Sequence, residues 1–266
     1  LILPLLGALG IALAHRIPNL RESITLGTAV VLFACVGSLL GPIMAGERPE
    51  LMLFEMLPGL SIGFKVEPLG MIFALVASGL WIVNSIYSIG YMRGNNEAHQ
   101  TRFYVCFALA ISSALAIAFS ANLFSLFLFY EILTLITYPL VTHHGTDKSR
   151  KGGRVYLGIL MGTSVLFLLP AVVFTWYTAG TTDFRIGGIL PAGTAQVVIT
   201  ALLALFMFGT AKAALMPFHR WLPAAMVAPT PVSALLHAVA VVKAGVFSVV
   251  KIVVYVFGLE TLNGST

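Results

Sequence analysis

Four charged side chains lie within stretches of sequence that are otherwise strongly apolar: Glu131, Lys212, Lys243 and Lys251. Hydrophobic residues make up 59% of the 266 and charged residues 9%, whereas a soluble domain carries about 25% charged residues. This composition predicts a chain whose solvent is the lipid bilayer. A charge at the bilayer centre costs on the order of 3 kcal/mol, so these residues are candidates for ion or proton transfer.

Glu131 lies near the middle of the apolar stretch Leu123–Thr142. Thr134 and Tyr138 follow at i+3 and i+7, which places the three side chains on one helical face. Such a polar stripe must face protein or water, because lipid leaves its groups unsatisfied. The stripe suits a proton relay, and the alternative is a structural ion pair between two helices.

Lys212 lies in an apolar run, Val197–Met226, whose 30 residues would span about 45 Å as one helix. Pro217 is predicted to interrupt that helix about one turn after Lys212. Broken helices at membrane depth line cavities and mark ion sites in transporters, so Lys212 is expected to approach Glu131 within salt-bridge or water-bridged distance. The alternative is a helix that stops at Met216, with Lys212 extending to the cytoplasmic surface.

The last apolar stretch carries His237, Lys243 and Lys251. Lys243 is near mid-membrane, and His237 titrates near neutrality and suits a proton relay, although a satisfied core histidine fits equally. The two are about 240° apart on an ideal helix, so they share a face only if the helix is distorted near Gly245. Lys251 lies closer to the outer end, where its side chain is predicted to extend to the membrane surface.

Eight stretches are long enough, or nearly so, to cross a bilayer, which needs roughly 20 apolar residues. They are Leu1–Ala14, Ile24–Met44, Leu69–Gly90, Phe103–Ser120, Leu123–Thr142, Val155–Thr178, Gln196–Met216 and Val232–Phe257. The loops after the first, third, fifth and seventh hold nine basic residues and three acids, and the other loops and the tail hold three and six. The positive-inside rule therefore predicts a multi-pass protein with its N-terminus outside the cytoplasm.

Other sites are not indicated by the sequence. It has no Walker motif, no G-x-G-x-x-G, no cysteine cluster and no bis-histidine haem pattern, so no cofactor or metal is expected. His143 and His144 lack metal-ligand spacing and are interpreted as a solvated loop. The net charge of +5 reflects membrane topology, and no nucleic-acid partner is predicted.

Three segments resemble a known family. Phe129–Leu140 (FYEILTLITYPL), Gly209–Met226 (GTAKAALMPFHRWLPAAM) and Ala228–Gly245 (APTPVSALLHAVAVVKAG) are similar to the fifth, broken seventh and eighth helices of the antiporter-like proteins shared by Mrp-type cation/proton antiporters and respiratory complex I. The eighth-helix segment is most similar to the D-type Mrp protein. The resemblance implies that Glu131 is the family's ion-paired glutamate, Lys212 its central lysine, and His237 and Lys243 its relay residues.

The resemblance also implies an architecture. Family members have about fourteen helices, including two inverted five-helix repeats, and this chain holds the leading helices and one repeat. The predicted fold is an all-α integral membrane protein of about eight transmembrane helices, one of them broken. Its predicted divisions are residues 1–102 for helices 1–3, residues 103–258 for the five-helix antiporter-like repeat, and residues 259–266 for a polar tail. The second repeat lies outside this sequence or on another polypeptide, which leaves the proton's exit open.

The predicted function is that of a proton-translocating subunit of a multisubunit Na⁺/H⁺ antiporter in the inner (plasma) membrane, with no catalytic chemistry of its own. Its predicted partners are other membrane subunits, lipid, protons and monovalent cations. The alternative is a proton-pumping arm of a redox complex, an NADH-quinone oxidoreductase or a membrane-bound hydrogenase. A purely structural scaffold is disfavoured because it would not need buried lysines. The coupled cation, the transport direction and the oligomeric state stay open.

Overall fold

Helices make up most of residues 1–57 and 60–263, which the computed structural model describes. Apolar stretches in a membrane fold as helices because a helix satisfies its own backbone hydrogen bonds. In chain order the helices are α1 (Ile2–Leu13), α2 (Pro18–Ser38), α3 (Leu40–Met44), α4 (Pro68–Gly94), α5 (Gln100–Ala118), α6 (Leu123–Val141), α7 (Asp147–Thr163), α8 (Leu169–Ala179), α9 (Gln196–Gly209), α10 (Trp221–Ala225), α11 (Thr230–Ala234), α12 (Val241–Ile252) and α13 (Leu259–Asn263).

The all-α membrane class is confirmed. Within the described residues, six helical segments are long and apolar enough to cross a membrane, and α1 and α9 are shorter apolar helices, so the predicted count of eight is not confirmed. Short π-helical turns, Ser164–Leu168, Leu235–Val239 and Val253–Phe257, join α7 to α8, join α11 to α12, and extend α12. The predicted polar tail begins with the short helix α13, and residues 264–266 lie outside the described residues.

A two-stranded antiparallel hairpin, β1 (Glu50–Leu57) and β2 (Leu60–Lys65), occupies the segment between α3 and α4. The sequence analysis did not predict these strands. Their anchors come from the start of α6: the Ser125 hydroxyl accepts the Gly63 backbone N–H at 3.0 Å, and Asn122 Nδ2 donates to the Ser61 carbonyl at 2.9 Å. Because these partners are about 60 positions apart in sequence, no local pattern reveals the hairpin.

Helix α2 begins at Pro18, six residues before the predicted start at Ile24. Arg21 and Glu22, interpreted above as loop charges, are buried. Arg93 Nε donates to Glu22 Oε1 at 3.0 Å, and Arg21 also donates to the Gln100 side chain at 2.7 Å. The helix starts early because these charges find partners on α4 and α5, which offset part of their desolvation.

Helix α5 forms the centre of the bundle, with nearly all of its second half buried. It packs against α1, α4, α6 and α12. On the far side of α6, α7 packs against α6 and against α10, and α12 packs against the turn that follows α9. The segment after α9 is therefore enclosed by α6, α7 and α12, which positions its side chains inside the protein.

Candidate functional site

The predicted helix break is present and begins earlier than predicted. Helix α9 ends at Gly209 and is followed by a 3₁₀ turn over Ala211–Ala213. Lys212 thus lies within the break, whereas the sequence placed it one turn before the break. The Met216–Pro217 peptide bond is cis, and a second 3₁₀ turn, Phe218–Arg220, leads into α10. Pro217 belongs to the broken segment but does not end the helix.

Contacts from distant parts of the chain fix where α9 ends. The buried Trp221 donates its indole Nε1–H to the Ala211 carbonyl at 2.8 Å, so a side chain satisfies a carbonyl that the broken helix frees. Gly245 of α12 lies directly against the turn, since a Cβ built on it would be 2.2 Å from the Ala213 nitrogen. A glycine there lets the two backbones approach, as in other membrane helix contacts.

The Lys212 side chain is fully buried and its ammonium group is bound to α6. Its Nζ donates to the Tyr130 carbonyl at 2.7 Å and to Thr134 Oγ1 at 2.6 Å. The same Nζ lies 3.2 Å from the centroid of the Tyr130 ring, and the Lys212 backbone N–H donates to the Tyr130 hydroxyl at 3.0 Å. Charge-assisted hydrogen bonds and a ring face therefore stabilise a buried ammonium group at the break.

Glu131 does not form the predicted direct ion pair with Lys212. Within the part of the chain that the structure describes, both of its carboxylate oxygens are buried and neither has a hydrogen-bond partner. The Lys212 ammonium instead binds oxygens of Tyr130 and Thr134 on the same helix, while the opposite charge of Glu131 still acts on it electrostatically. An unpartnered carboxylate next to a bound ammonium is an arrangement in which a small side-chain movement changes the pairing.

His237 and Lys243 lie away from Lys212. His237 is half-buried in the π-helical turn before α12, and its Nε2 is 3.0 Å from the Met226 sulfur at the end of α10. Lys243 is exposed on the surface of the bundle, beside an apolar groove of about 310 Å³ between α4 and α12. The face of α12 that touches the break carries Gly245, so Lys243 points elsewhere.

Lys251 was predicted to extend to the membrane surface, and this prediction is wrong. Its side chain is buried and donates to the Ser120 carbonyl at 2.7 Å, with Glu67 Oε2 at 3.6 Å from Nζ. Glu67, placed in a loop by the sequence analysis, is buried and directly precedes α4. The only sequence signal was a lysine inside an apolar helix, because nothing in the spacing links it to a glutamate 184 positions earlier.

His143 also differs from its prediction as part of a solvated loop. Its side chain is buried at the end of α6, and its Nε2 lies 3.7 Å from Glu97 Oε2. Burial lowers the pKa of His143, the positive charge of Arg102 acts in the same direction, and Glu97 opposes both. His144 Nε2 lies 3.5 Å from the same Glu97 oxygen and is more exposed.

Comparisons with known proteins agree with this geometry. A family described as NADH:quinone oxidoreductase/Mrp antiporter, TM, matches residues 120–262, and one described as NADH-Ubiquinone oxidoreductase (complex I), chain 5 N-terminus, matches residues 58–104. The chain is 28% identical to NAD(P)H-quinone oxidoreductase chain 5 of Synechocystis sp. over 94% of its own length. It is 32% identical to a Na(+)/H(+) antiporter subunit of Alkalihalophilus pseudofirmus over 73% of its length.

Solved structures show the same fold. The chain aligns with one chain of the membrane-bound sulfane sulfur reductase, an archaeal respiratory membrane complex, with a TM-score of 0.83 at 21% identity over 99% of its length. It aligns with the Mrp complex from Dietzia sp. DQ12-45-1b with a TM-score of 0.72 at 27% identity over 93%. It spans 39% and 25% of the two curated relatives and 54% and 28% of the two solved chains.

Proposed function

The chain belongs to the NADH:quinone oxidoreductase/Mrp antiporter family, and from that premise we propose that it is a proton-translocating membrane subunit of a multisubunit Na⁺/H⁺ antiporter. The observation that carries the proposal is the fully buried Lys212 inside a helix break. A buried charge at such a position is costly, and a role in proton or ion transfer accounts for its presence. The inner membrane, the partner subunits and the D-type Mrp assignment belong to the same proposal.

In this mechanism Lys212 alternates between the charged and neutral forms. The charged form is held by the Tyr130 carbonyl and Thr134, and the nearby Glu131 carboxylate offers a second, competing partner. Protons enter at the helix break and leave by way of His237 or Lys243, and hydrating water would have to bridge from Lys212 to either side chain. Residues 1–102 are the leading helices in this proposal, and residues 103–258 form one repeat of the translocating unit.

A second candidate is a proton-pumping arm of a redox complex. It is favoured by the relation to NAD(P)H-quinone oxidoreductase chain 5, which extends over 94% of the chain, and by the likeness to a respiratory complex. The same lysine would serve there, driven by electron transfer in other subunits. Identifying the subunits that co-purify with the chain separates the two: iron–sulfur or flavin proteins indicate the redox complex, and their absence indicates the antiporter.

The test of Lys212 uses vesicles that carry the whole complex, with dissipation of a pH gradient on cation addition as the readout. We expect Lys212→Ala to abolish the signal, because the site loses its titrating group. Lys212→Arg should also fail, since a guanidinium stays charged and releases no proton. Lys148→Ala is the matched control, because Lys148 is exposed at the start of α7. Wild-type activity in a normally inserted Lys212→Ala complex would refute the mechanism.

A further inference from the structure

A second buried lysine and carboxylate lie at the other end of the bundle from the cytoplasmic loops. Lys251 on α12 keeps 1% of its side chain accessible, and its Nζ lies 3.6 Å from Glu67 Oε2. Nζ also donates to the carbonyls of Ser120 at 2.7 Å and Ala118 at 3.3 Å, at the C-terminal end of α5. Carbonyls at a helix C-terminus carry partial negative charge, so this end of α5 attracts a cation.

The surroundings separate Lys251 from water on all sides but one. The rings of Phe184 and Phe247 lie 4.6 Å and 5.7 Å from Nζ. Glu67 keeps 8% of its side chain accessible, so the carboxylate stands between the ammonium group and the surface. Glu67 Oε2 has no hydrogen-bond partner among the described residues, which leaves it able to accept a proton.

Few other ionisable groups act on the pair. Lys65 on β2 adds a like charge near Lys251, and Tyr255, one turn further along the helix, lies near Glu67. The packed end of α5 contributes backbone carbonyls, not ionisable side chains. Lys251 and Glu67 therefore form a pair of opposite charges with an oxygen-lined pocket and one route to the surface.

The position of the pair relates it to the proposed pathway. Lys243 precedes Lys251 by eight residues on one helix, about 12 Å along its axis at 1.5 Å per residue. Glu67 adjoins the hairpin and Ser120 the connection between α5 and α6, both predicted to lie outside the cytoplasm. A proton that has reached Lys243 thus needs bridging water over about two helical turns to arrive at this pair.

We propose that Lys251 and Glu67 form the outward proton-release site of this chain, an inference that rests on the proposed function. The Lys251 ammonium passes one proton from Nζ to Glu67 Oε2, which gives a neutral amine and a carboxylic acid. The acid then loses that proton to external water, and the amine takes up the next proton arriving from within the chain. The site would give this single repeat its own exit.

The experiment compares Glu67→Gln and Lys251→Arg with Glu47→Gln in vesicles carrying the whole complex, by proton flux and by the thermal midpoint of the complex. Glu47 is exposed near the hairpin and is the matched control. We expect Glu67→Gln, which keeps shape but accepts no proton, to lower the flux at least tenfold with an unchanged midpoint. Lys251→Arg should do the same, because it keeps the charge and releases no proton.

A structural clamp between α12 and α5 predicts the opposite result. In that case Lys251→Arg and Glu67→Gln would keep wild-type flux, and this outcome overturns the proposal. If Lys251→Arg does not assemble, Glu67→Gln decides alone. Wild-type and Lys212→Ala complexes run alongside: wild-type flux that Lys212→Ala abolishes upholds the proposed function, whatever Glu67→Gln does. Equal flux in those two removes the proposed function itself, and the release site with it.

Discussion

At the scale of single residues, Tyr130 contacts Lys212 in more ways than Glu131 does. Its carbonyl accepts from Nζ, its ring lies under the ammonium group, and its hydroxyl accepts the Lys212 backbone N–H. The first of these contacts needs only the backbone, and the second needs any aromatic ring. The hydroxyl contact alone is specific to tyrosine, and it holds the backbone of the broken segment.

Tyr130→Phe tests that contact. The variant removes one buried hydrogen bond, worth about 1 kcal/mol, and leaves the Lys212 N–H without a partner. If the bond positions Lys212 for transfer, proton flux should fall about fivefold, the rate equivalent of 1 kcal/mol. Tyr177→Phe is the control, because Tyr177 is 81% exposed. Unchanged flux in vesicles of the Tyr130→Phe complex would show that the hydroxyl has no positioning role.

The sequence could identify these charges but not their partners. Glu131, Lys212 and Lys251 stand out because charge is rare in apolar stretches, and burial of Lys212 and Lys251 follows in the structure. The bonds that Lys212 makes to Tyr130 and Thr134 cross about 80 positions of sequence. Pairing by opposite charge suggested Glu131 for Lys212, whereas the actual acceptors are a backbone carbonyl and a hydroxyl, which composition does not single out.

At the scale of elements, the break after α9 depends on close backbone contact with α12. The length of the apolar run and Pro217 predicted an interruption, yet α9 ends at Gly209 because packing, rather than the proline, decides where it stops. The contact is made by Gly245, where a Cβ would lie 2.5 Å from the Lys212 carbonyl carbon. Those atoms are backbone and cannot move aside as a flexible side chain would.

Gly245→Ala is therefore expected to push α12 away from the break. Overpacking of this kind costs roughly 1–3 kcal/mol, so the thermal midpoint in detergent should fall and proton flux should fall with it. Gly162→Ala in α7 is the matched control, since nothing lies within 4 Å of a Cβ built there. That variant should keep the wild-type midpoint or exceed it, because alanine favours helix over glycine. Equal midpoints for both variants would contradict the tight contact.

At the scale of the whole molecule, charge distribution sets the orientation in the membrane. Part of the charge counted in the predicted cytoplasmic loops belongs to the buried network of Arg21, Glu22 and Arg93. Without those three, the same loops keep seven basic residues against two acids. The excess persists, so the positive-inside rule still predicts that the loop after α4 faces the cytoplasm and the loop after α8 faces outside.

Cysteine labelling tests this orientation. Asn95 follows α4 and Ala192 precedes α9, and both are exposed. After replacement of Cys35, which is exposed, Ala192→Cys should react with a membrane-impermeant maleimide in intact cells, whereas Asn95→Cys should react only once the membrane is opened. The two sites serve as controls for each other, because each should be reactive in one condition where the other is not. The reverse pattern would place Glu67 and Lys251 on the cytoplasmic side and turn the proposed release site into an entry site. Labelling thus decides the direction in which the buried charges can carry protons, which charge counting predicts but cannot demonstrate.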